Sequence, residues 1–515
     1  MQAFIFCGQG HNLWPFSQGH LDDNVSGNGM TKALLPVGNR SMLEYVLDWC
    51  DQANFKEINV VGQAQDIDAI QRGLQRYLEL RNEQFLLVSK SLSGSQHLHH
   101  LQSPKPIKFI KSKASSTGEC LQRELLKRIN GDFVLLPCDF VTDIPPQIFI
   151  DQYRNRDSNN LAMTFYYKNV LESTDKKQQS GKQFFTLYSS NEDVDARPVL
   201  LDVYPMEAVK KTKYLQVRTH LLWNYPNTTV STKLENSFIY FCSQELCQLL
   251  SERKANDSTK KNYKDNVDDD DDDDQGENSK DRDDEVLDTT IKPSYFRQEN
   301  QLLRDPLNCN KSLGKVFRDL ARRSWQHSTP RENIGMFILP EVGFFVRANN
   351  LHTFTEANRF ILKIKAQTLA TNTQTTTASA SAIGADAVVG YNCTILEKSN
   401  IKLSSIGPGC KIGNRCRIAG SILLPDVTIE DEVILENVII GPNGVIGKRS
   451  KLTNCYVEGY YHVDPKSNLK GETLTKLEFE SDESMSSNAA ESSSGDESLE
   501  EEYDDEYEDD GLFDH

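Results

Sequence analysis

Hydrophobic positions in the first 250 residues alternate between short apolar runs and amphipathic stretches of helical spacing. The apolar runs predict β-strands and the amphipathic stretches predict helices. The predicted strands are Ala3–Cys7, Ile58–Gly62, Lys108–Ile110, Asp132–Pro137 and Leu161–Tyr167, and the predicted helices include Ser41–Ala53, Ile67–Leu80 and Gly118–Ile129. This alternation predicts an α/β fold with a mostly parallel, doubly wound sheet. Such sheets bind ligands at the carboxyl ends of their strands.

A polar insert interrupts this pattern. Residues 252–293 include seven consecutive aspartates, 268–274, and nothing that could build a core. Apolar pattern then resumes in runs that we assign to the far side of the same domain, at Ser294–Phe317, Met336–Leu339, Gly343–Arg347 and a helix at Asn350–Ile364. We therefore predict a first domain at 1–365 with an insert at about 252–293, followed by a Thr/Ala/Ser-rich linker at 366–382.

Aliphatic residues, many followed by glycine, recur every six residues after the linker. The series begins with Ile383, Val389 and Ile395, continues from Ile406 after a slip of one residue, and has the same period again from Ile434. Such hexapeptides predict a left-handed parallel β-helix, in which the aliphatic residue points inward and the following glycine permits the tight corner. Roughly eleven matches across 383–457, at about eighteen residues per coil, predict about four coils. We place this β-helix, a rigid platform for stacking, at 383–465.

Length and composition indicate the class of protein and its cellular compartment. The chain has 515 residues, enough for two or three domains. No stretch approaches the length of a membrane span, and the amino terminus lacks the features of a signal peptide. The 11 cysteines are scattered without zinc-type spacing, so we predict buried thiols in a reducing cytosol, with no metal site and no cofactor.

The formal charge of −18 is concentrated in two segments. Residues 481–515 carry −15 and residues 265–285 carry −11, which leaves +8 on the rest of the chain. Such acidic runs repel themselves and bury no apolar surface, so we expect disorder in the insert and in an acidic tail at 466–515. They act either as solubilising segments or as docking surfaces for a basic partner.

A glycine-rich turn follows the first predicted strand. It reads Gly8-Gln9-Gly10-His11-Asn12-Leu13. A turn of this kind lets backbone N–H groups approach phosphate oxygens at the start of a helix. The pattern resembles that of sugar-nucleotide pyrophosphorylases, in which the turn reads Gly-x-Gly-Ser/Thr-Arg-Leu and a Pro-Lys pair follows.

The resemblance is incomplete at the residues that would bind and stabilise the transferred phosphoryl group. In that family the arginine and the lysine neutralise charge that develops on the transferred group. Here His11 and Asn12 occupy the Ser/Thr and Arg places, and Thr31 replaces the proline before Lys32. The resemblance therefore implies a vestigial nucleotide pocket with no catalytic residue. Lys32 either meets a phosphate or is an ordinary solvated lysine.

Two further positions belong to the same vestigial pocket, Asp139 and Gly118. The aspartate that matches Asp139 in pyrophosphorylases holds the catalytic Mg²⁺, and a helix cap or loop anchor is the alternative role here. Gly118 lies in Lys113–Glu119, a segment similar to the second glycine-bearing base-recognition loop of that family. A helix N-cap at Ser116 or Thr117 is the alternative there.

A basic and aromatic cluster surrounds Trp325. It comprises Arg318, Arg322, Arg323 and His327. Nucleic-acid binding is one interpretation, but the body of the chain is only mildly basic and has no RNA-binding motif. We favour a helix that faces a protein, with Trp325 as its anchor and Arg322 and Arg323 at the rim. Three further histidines, at 97, 99 and 100, are assigned to a solvated loop.

Most of the chain resembles a known family. A pyrophosphorylase-like domain joined to a left-handed β-helix is the architecture of two subunits of eukaryotic translation initiation factor 2B, gamma and epsilon. The longest strings that resemble the fungal gamma-subunit family are Lys32–Asp51, Gly131–Pro146, His220–Asn236, Asn308–His327 and Tyr507–Phe513. In the epsilon subunits a catalytic helical domain follows the β-helix. Here an acidic tail follows, which favours the gamma type.

The resemblance implies a function without covalent chemistry. Initiation factor 2B is a decameric guanine nucleotide exchange factor that reloads initiation factor 2 with GTP. The implied partners are the epsilon subunit, the other subunits of that complex and initiation factor 2 itself, with no direct contact to nucleic acid or membrane. Two alternatives stay open. One is an active sugar-nucleotide pyrophosphorylase such as a mannose-1-phosphate guanylyltransferase, and the other is a regulatory protein that senses sugar nucleotides.

Overall fold

A computed structural model describes residues 1–17, 29–91, 104–168, 184–189, 197–251, 307–326, 332–372 and 382–476. Both acidic segments, the whole insert at 252–293, and the histidines at 97, 99, 100 and 327 lie outside these residues, so the predictions for them remain predictions. No helix in the described part of the chain has the length and apolarity needed to cross a membrane.

Fourteen strands precede the β-helix in the described residues. They are β1 (Gln2–Phe6), β2 (Pro36–Val37), β3 (Arg40–Ser41), β4 (Glu57–Gln63), β5 (Ile107–Ser112), β6 (Phe133–Pro137), β7 (Phe140–Thr142), β8 (Asn160–Lys168), β9 (Phe184–Ser189), β10 (Val199–Pro205), β11 (Thr228–Ser231), β12 (Leu234–Cys242), β13 (Asn333–Ile338) and β14 (Phe345–Arg347). Each of the five predicted strands is present to within two residues at either end.

Ten of these strands form one sheet, in the order β11-β9-β10-β13-β8-β12-β6-β1-β4-β5. The neighbours β6, β1, β4 and β5 are parallel, as are β13 and β8. Strand β12 is antiparallel to β6 and to β8, and β10, β9 and β11 continue as antiparallel pairs. The α/β fold class is confirmed, but the sheet is mixed, because only its amino-terminal half is built from strand–helix–strand crossovers.

Ten α-helices accompany the sheet in the residues that are described. They are α1 (Met42–Ala53), α2 (Ala64–Gly73), α3 (Gln75–Ser91), α4 (Thr117–Cys120), α5 (Pro146–Arg154), α6 (Met206–Thr212), α7 (Thr219–Asn224), α8 (Gln244–Ser251), α9 (Leu313–Gln326) and α10 (Leu351–Asn372). One buried cluster unites one face of β1 with α1, α2 and α5. A second cluster unites the opposite face with α4, α8 and α9. Helices therefore cover both faces of the sheet.

Some helix boundaries differ from the prediction. The helix predicted at Ile67–Leu80 is two helices, α2 and α3, and the helix predicted at Gly118–Ile129 is α4 followed by a π-helical turn at Leu121–Leu125. Helix α10 continues to Asn372, so residues 366–372 of the predicted linker are helical. The Ala, Gln and Leu residues of this stretch favour a helix, which outweighs its threonines.

Seventeen short strands build the β-helix in three parallel sheets. The first sheet contains β15 (Ala382–Ile383), β18 (Asn400–Lys402), β21 (Arg417–Ala419), β24 (Ile434–Glu436), β27 (Lys451–Thr453) and β30 (Asn468–Lys470). The second contains β16 (Val388–Val389), β19 (Ser405–Ile406), β22 (Ile422–Leu423), β25 (Ile439–Ile440), β28 (Tyr456–Val457) and β31 (Thr473–Leu474). The third contains β17 (Thr394–Ile395), β20 (Lys411–Ile412), β23 (Thr428–Ile429), β26 (Val445–Ile446) and β29 (His462–Val463).

The β-helix is longer than predicted and has a different register. It extends to Leu474, nine residues beyond the predicted end, and has between five and six coils. The prediction was too short because the last coil lacks the Ile-Gly signature. Ile401 pairs with Ile418 and Ile418 with Leu435, so these coils contain 17 residues. Leu435 is therefore the buried core residue, whereas Ile434, which the six-residue count placed inward, is only half-buried.

The glycines of the repeat have a different role from the one predicted. A Cβ on Gly407 or Gly413 would lie 2.6–2.7 Å from backbone carbon of the next coil, whereas neither residue has a positive φ. The left-handed conformation occurs two residues later, for example at Gly409 and Arg415. Glycine is thus required by close coil-to-coil approach, and the corner itself tolerates other residue types.

One face of the β-helix packs on the first domain. The outward residues Ile422 and Ile439 join a buried cluster with Leu13, Phe16 and other residues of the first domain. Polar contacts flank this junction. Asn39 Nδ2 donates to the carbonyl of Ile406 at 2.6 Å, and Arg359 Nη2 donates to Asn437 Oδ1 at 3.1 Å. The two domains thus share a core.

Candidate functional site

The glycine-rich turn lies at the carboxyl end of β1, as predicted. Gly10 adopts a left-handed conformation with φ +81°, and a short 3₁₀ helix follows at His11–Leu13. The side chain of Lys32 covers Gly10 so closely that a Cβ there would lie 3.0 Å from Lys32 Cβ and Cδ. Glycine is needed at this position both for its backbone conformation and for the approach of the lysine.

Asp139 follows β6 and brings several segments together. Lys32 Nζ lies 2.8 Å from Asp139 Oδ2, and the same ammonium donates a hydrogen bond to Asn349 Oδ1. Arg347 binds both carboxylate oxygens, with Nε 3.1 Å from Oδ1 and Nη2 3.0 Å from Oδ2. The backbone N–H of Ala348 donates to the carbonyl of Asp139 at 2.8 Å. The carboxylate is therefore shared between two cations of the chain itself.

An irregularity in β12 helps to hold Arg347 in place. The register of β12 shifts between Asn236 and Tyr240, and Phe238, inside this bulge, has a φ of +56°. The Asn236 side chain accepts a hydrogen bond from the N–H of Phe238 at 2.8 Å and donates to Tyr240 Oη at 2.8 Å. The bulge presents the ring of Phe238 to Arg347, whose guanidinium carbon lies 4.2 Å from the ring centroid. This cation–π contact helps to hold the guanidinium that binds Asp139.

The electrostatics of Asp139 result from two opposing effects. Burial by itself raises the pKa of the carboxyl, because it removes the charged form from water. Arg347 and Lys32 more than compensate, through their charges and their hydrogen bonds, and hold the pKa of Asp139 well below its usual range. Asp139 is therefore ionised and paired. Among the described residues no group of three or more His, Cys, Asp and Glu side chains is arranged to hold a metal ion.

The chain's own backbone covers Gly118. The N–H of Gly118 donates to the carbonyl of Lys311 at 3.0 Å, and Thr117 Oγ1 accepts from the N–H of Leu313 at 2.7 Å. A Cβ at Gly118 would lie 2.5 Å from the Lys311 oxygen and 2.7 Å from the Cys309 oxygen. Ser116 is the N-cap of α4, as one of the two sequence interpretations proposed. The segment at 307–313 thus lies against the predicted base-recognition loop.

The remaining pocket positions do not converge on one cavity. Gly8 is buried beside the end of β6, whereas Asn12 is exposed and His11 is half-buried. Leu13 points away from the turn into the junction with the β-helix. The structure therefore brings Gly10, Lys32 and Asp139 together and places Gly118 against a different segment.

The arginine and tryptophan cluster on α9 differs from the prediction. Trp325 is only 2% exposed, and its Nε1–H donates to the carbonyl of Leu201 at 2.9 Å. Arg322 pairs with the buried Asp202 at 2.8 Å, and Arg323 pairs with Glu332 at 3.1 Å. The prediction of a partner-facing anchor is wrong for Trp325, because the apolar face of α9 packs on the sheet. The two arginines bind carboxylates of the same chain.

Arg347, Asn349 and Phe238 were missed by sequence reasoning. Arg347 is the last residue of the predicted apolar run at Gly343–Arg347, and a cation at the end of a strand was the one available signal. Its pairing with Asp139 depends on the antiparallel register of β14 and β7, in which Arg347 is opposite Phe140. That register spans about two hundred residues of chain and has no local signature.

Comparisons with known proteins agree with this architecture. A family model described as the EIF2B subunit epsilon LbH domain matches residues 367–469. The chain is 24% identical over 406 residues to a Schizosaccharomyces pombe protein named translation initiation factor eIF2B subunit gamma, covering 78% of this chain and 73% of that protein. It is 23% identical over 425 residues to a Dictyostelium discoideum protein of the same name, covering 76% of this chain and 86% of that one. The resemblance found in the sequence is confirmed: the chain is similar to eIF2B gamma subunits over about three-quarters of its length.

Proposed function

We propose that the chain is a non-catalytic, regulatory and structural subunit of an eIF2B guanine nucleotide exchange complex in the cytosol. It pairs with an epsilon subunit and promotes GDP-to-GTP exchange on initiation factor 2. The observation that carries this proposal is the similarity to two eIF2B gamma subunits over about three-quarters of the chain. Exchange needs surfaces that prefer the nucleotide-free G protein rather than a covalent catalyst. Two domains with a shared core provide such a rigid body.

The pyrophosphorylase-like pocket is vestigial in this proposal. Mg²⁺ prefers carboxylate oxygens, and both oxygens of Asp139 are paired with cations of the chain, Lys32 and Arg347, which supports this assignment. The loop around Gly118 contacts the backbone at 309–311 rather than open space. The absence of the arginine at Asn12 adds to these observations, since one preorganised charge donor is typically worth about 10²–10³ in rate.

An active sugar-nucleotide pyrophosphorylase is the second candidate, because Lys32 and Asp139 still meet at the pocket. The test is to incubate the purified chain with Mg²⁺, GTP and mannose 1-phosphate, and then with each other nucleoside triphosphate, and to measure the sugar nucleotide formed. We expect no turnover. A rate above about 1 s⁻¹, which is ordinary for enzymes, would overturn the non-catalytic assignment.

The partner assignment has its own test. Native mass spectrometry of the complex purified through this chain is expected to show an epsilon-type subunit together with other eIF2B subunits. Addition of that complex is expected to accelerate GDP release from initiation factor 2. Recovery of this chain without any eIF2B subunit would contradict the assignment, whatever the outcome of the pyrophosphorylase assay.

A further inference from the structure

The connection between β10 and β11 carries large apolar side chains on its outer side. It contains α6 and α7, and its exposed residues include Trp223 at 74%, Tyr214 at 59% and Leu222 at 44%. Trp223 is the most exposed of the tryptophans in the described residues. An exposed tryptophan leaves a large apolar surface in water, which is unfavourable. A group of such side chains on one segment therefore needs an explanation.

The exposure does not come from a loosely held backbone. Leu221, on the inner side of α7, is fully buried in a cluster with Leu201 and Trp325. Asn224 Nδ2 donates to the carbonyl of Trp325 at 3.1 Å, and the N–H of Tyr225 donates to the carbonyl of Leu221 at 2.8 Å. The helix is therefore fixed on the first domain, and it presents Leu222 and Trp223 outward in a defined geometry.

The same segment has the opposite charge from the chain as a whole. Residues 206–233 contain five Lys and Arg residues and one acid, Glu207, in a protein of net charge −18. Lys210, Lys213 and Arg218 are exposed on the same connection as the apolar residues. The ring of His220 lies edge-on to Trp223, with 5.3 Å between the centroids. A segment that exposes large apolar side chains together with cations has the composition of a protein interaction surface.

We propose that these residues, the Trp223 patch (Lys210, Lys213, Tyr214, Arg218, Leu222 and Trp223), dock an acidic segment of a partner protein that carries an aromatic or large aliphatic side chain. Charge complementarity selects the acidic residues of that segment, and Trp223 with Leu222 receives its apolar side chain. This inference does not depend on the proposed function.

A protein segment fits the patch better than single-stranded nucleic acid. Nucleic-acid grooves track a phosphate backbone with many cations and stack successive bases on aromatic rings. Here the outward neighbours of Trp223 include the aliphatic Leu222, and the exposed Val230 lies on the following strand. One tryptophan beside aliphatic side chains gives an apolar anchor site rather than a continuous stacking platform.

The test uses the full chain and a fluorescein-labelled peptide of sequence Glu-Asp-Glu-Trp-Asp-Glu-Leu-Glu-Asp. Binding is followed by fluorescence anisotropy at two salt concentrations. We expect binding that weakens with salt, and a loss of about tenfold or more in affinity for Trp223→Ser, as for a buried anchor residue. The double variant Lys210→Glu/Lys213→Glu is expected to weaken binding and to reduce its dependence on salt. A peptide with serine in place of its tryptophan and leucine should bind weakly.

The matched control variants are at positions far from the Trp223 patch in the sequence. Leu87→Ser removes an apolar side chain of similar exposure, 65%, from α3, and Lys402→Glu reverses an exposed charge on the β-helix. Both are expected to bind like the unchanged protein. Patch variants that bind the peptide equally well would overturn the proposal, as would tighter binding of a twelve-residue oligouridine. Carbodiimide cross-links from Lys210 or Lys213 to acids within residues 501–510 of the same chain would assign the patch to the chain's own tail instead.

Discussion

At the scale of single residues, the buried carboxylate of Asp139 organises the pocket. Its removal from water is costly, and Lys32 and Arg347 offset this cost by direct pairing. The side chains of both cations are themselves largely buried, at 5% and 11% exposure. Each member of the group therefore depends on the others.

We predict that Asp139→Asn lowers the free energy of unfolding by about 3–5 kcal/mol, because it leaves two buried cations without their anion. Urea unfolding measures the change. Glu341→Gln, which removes the exposed carboxylate partner of Lys168, is the control and should leave stability almost unchanged. Equal effects of the two substitutions would show that burial of the Asp139 group is energetically unimportant.

The stability difference between the unchanged protein and Asp139→Asn should depend on pH. The folded-state pKa of Asp139 lies below its unfolded value, so its contribution is fully present above the ordinary aspartate pKa of about 3.9. That contribution is lost as the pH falls through the folded-state pKa. We expect a constant difference from pH 7 to pH 5 and a smaller one below pH 4. A difference that grows on acidification would contradict the pairing.

At the scale of secondary-structure elements, the start of α4 is held against the segment at 307–313. Gly118→Ala would push a methyl group into two carbonyl oxygens of that segment. We predict a loss of about 1–3 kcal/mol and faster amide hydrogen exchange in 307–313. Gly131→Ala is the control. Its φ of +112° gives backbone strain, but no atom lies within 4 Å of the added Cβ, so exchange in 307–313 should not change.

The 17-residue coil makes adjacent positions in β24 very different. Leu435 points into the β-helix core, whereas Ile434 lies outward between Arg417 and Lys451 of the neighbouring coils. We predict that Leu435→Asp costs more than about 4 kcal/mol, because it buries an uncompensated carboxylate. Ile434→Asp should cost less than about 1 kcal/mol, since its carboxylate meets two cations. A larger loss of stability for Ile434→Asp than for Leu435→Asp in thermal or urea unfolding would contradict this register and support the six-residue count.

At the scale of the whole molecule, the β-helix and the first domain stabilise each other. Leu13, Phe16 and Phe354 of the first domain are buried together with Ile422 and Ile439 of the β-helix. The ring of Phe16 also meets that of Tyr456 edge-on, with 6.4 Å between the centroids. Because this face of the β-helix is covered by the chain's own first domain, an epsilon-type partner is expected on its other faces or at its ends.

We predict that a chain ending at residue 372 keeps the first-domain fold but melts at a lower temperature than the full chain. Its junction residues become exposed to water, and the first domain should be cut faster in limited proteolysis. A chain ending at residue 476 is the control. It removes only residues 477–515, whose composition cannot offset ordering entropy, so its melting temperature should stay within a few degrees. Equal stability of the two truncated chains would contradict a shared core.

The sequence by itself determined the elements. Short apolar runs predicted the strands and helical spacing predicted the helices that cover them, because these patterns report local burial. The repeat around Ile412 and Ile440 predicted the β-helix for the same reason. The outward series Ile422, Ile439 and Tyr456 carries a further signal, since its spacing of 17 marks a face that is covered.

The tertiary structure alone decided which elements meet. Three contacts join segments that are far apart in the chain. Arg347 pairs with Asp139, the backbone of Lys311 packs on Gly118, and Trp325 is buried under α7. A hydrophobic pattern states that a side chain is buried, but it does not state what buries it. Pairings across such distances depend on sheet order and strand register, which are properties of the folded chain as a whole.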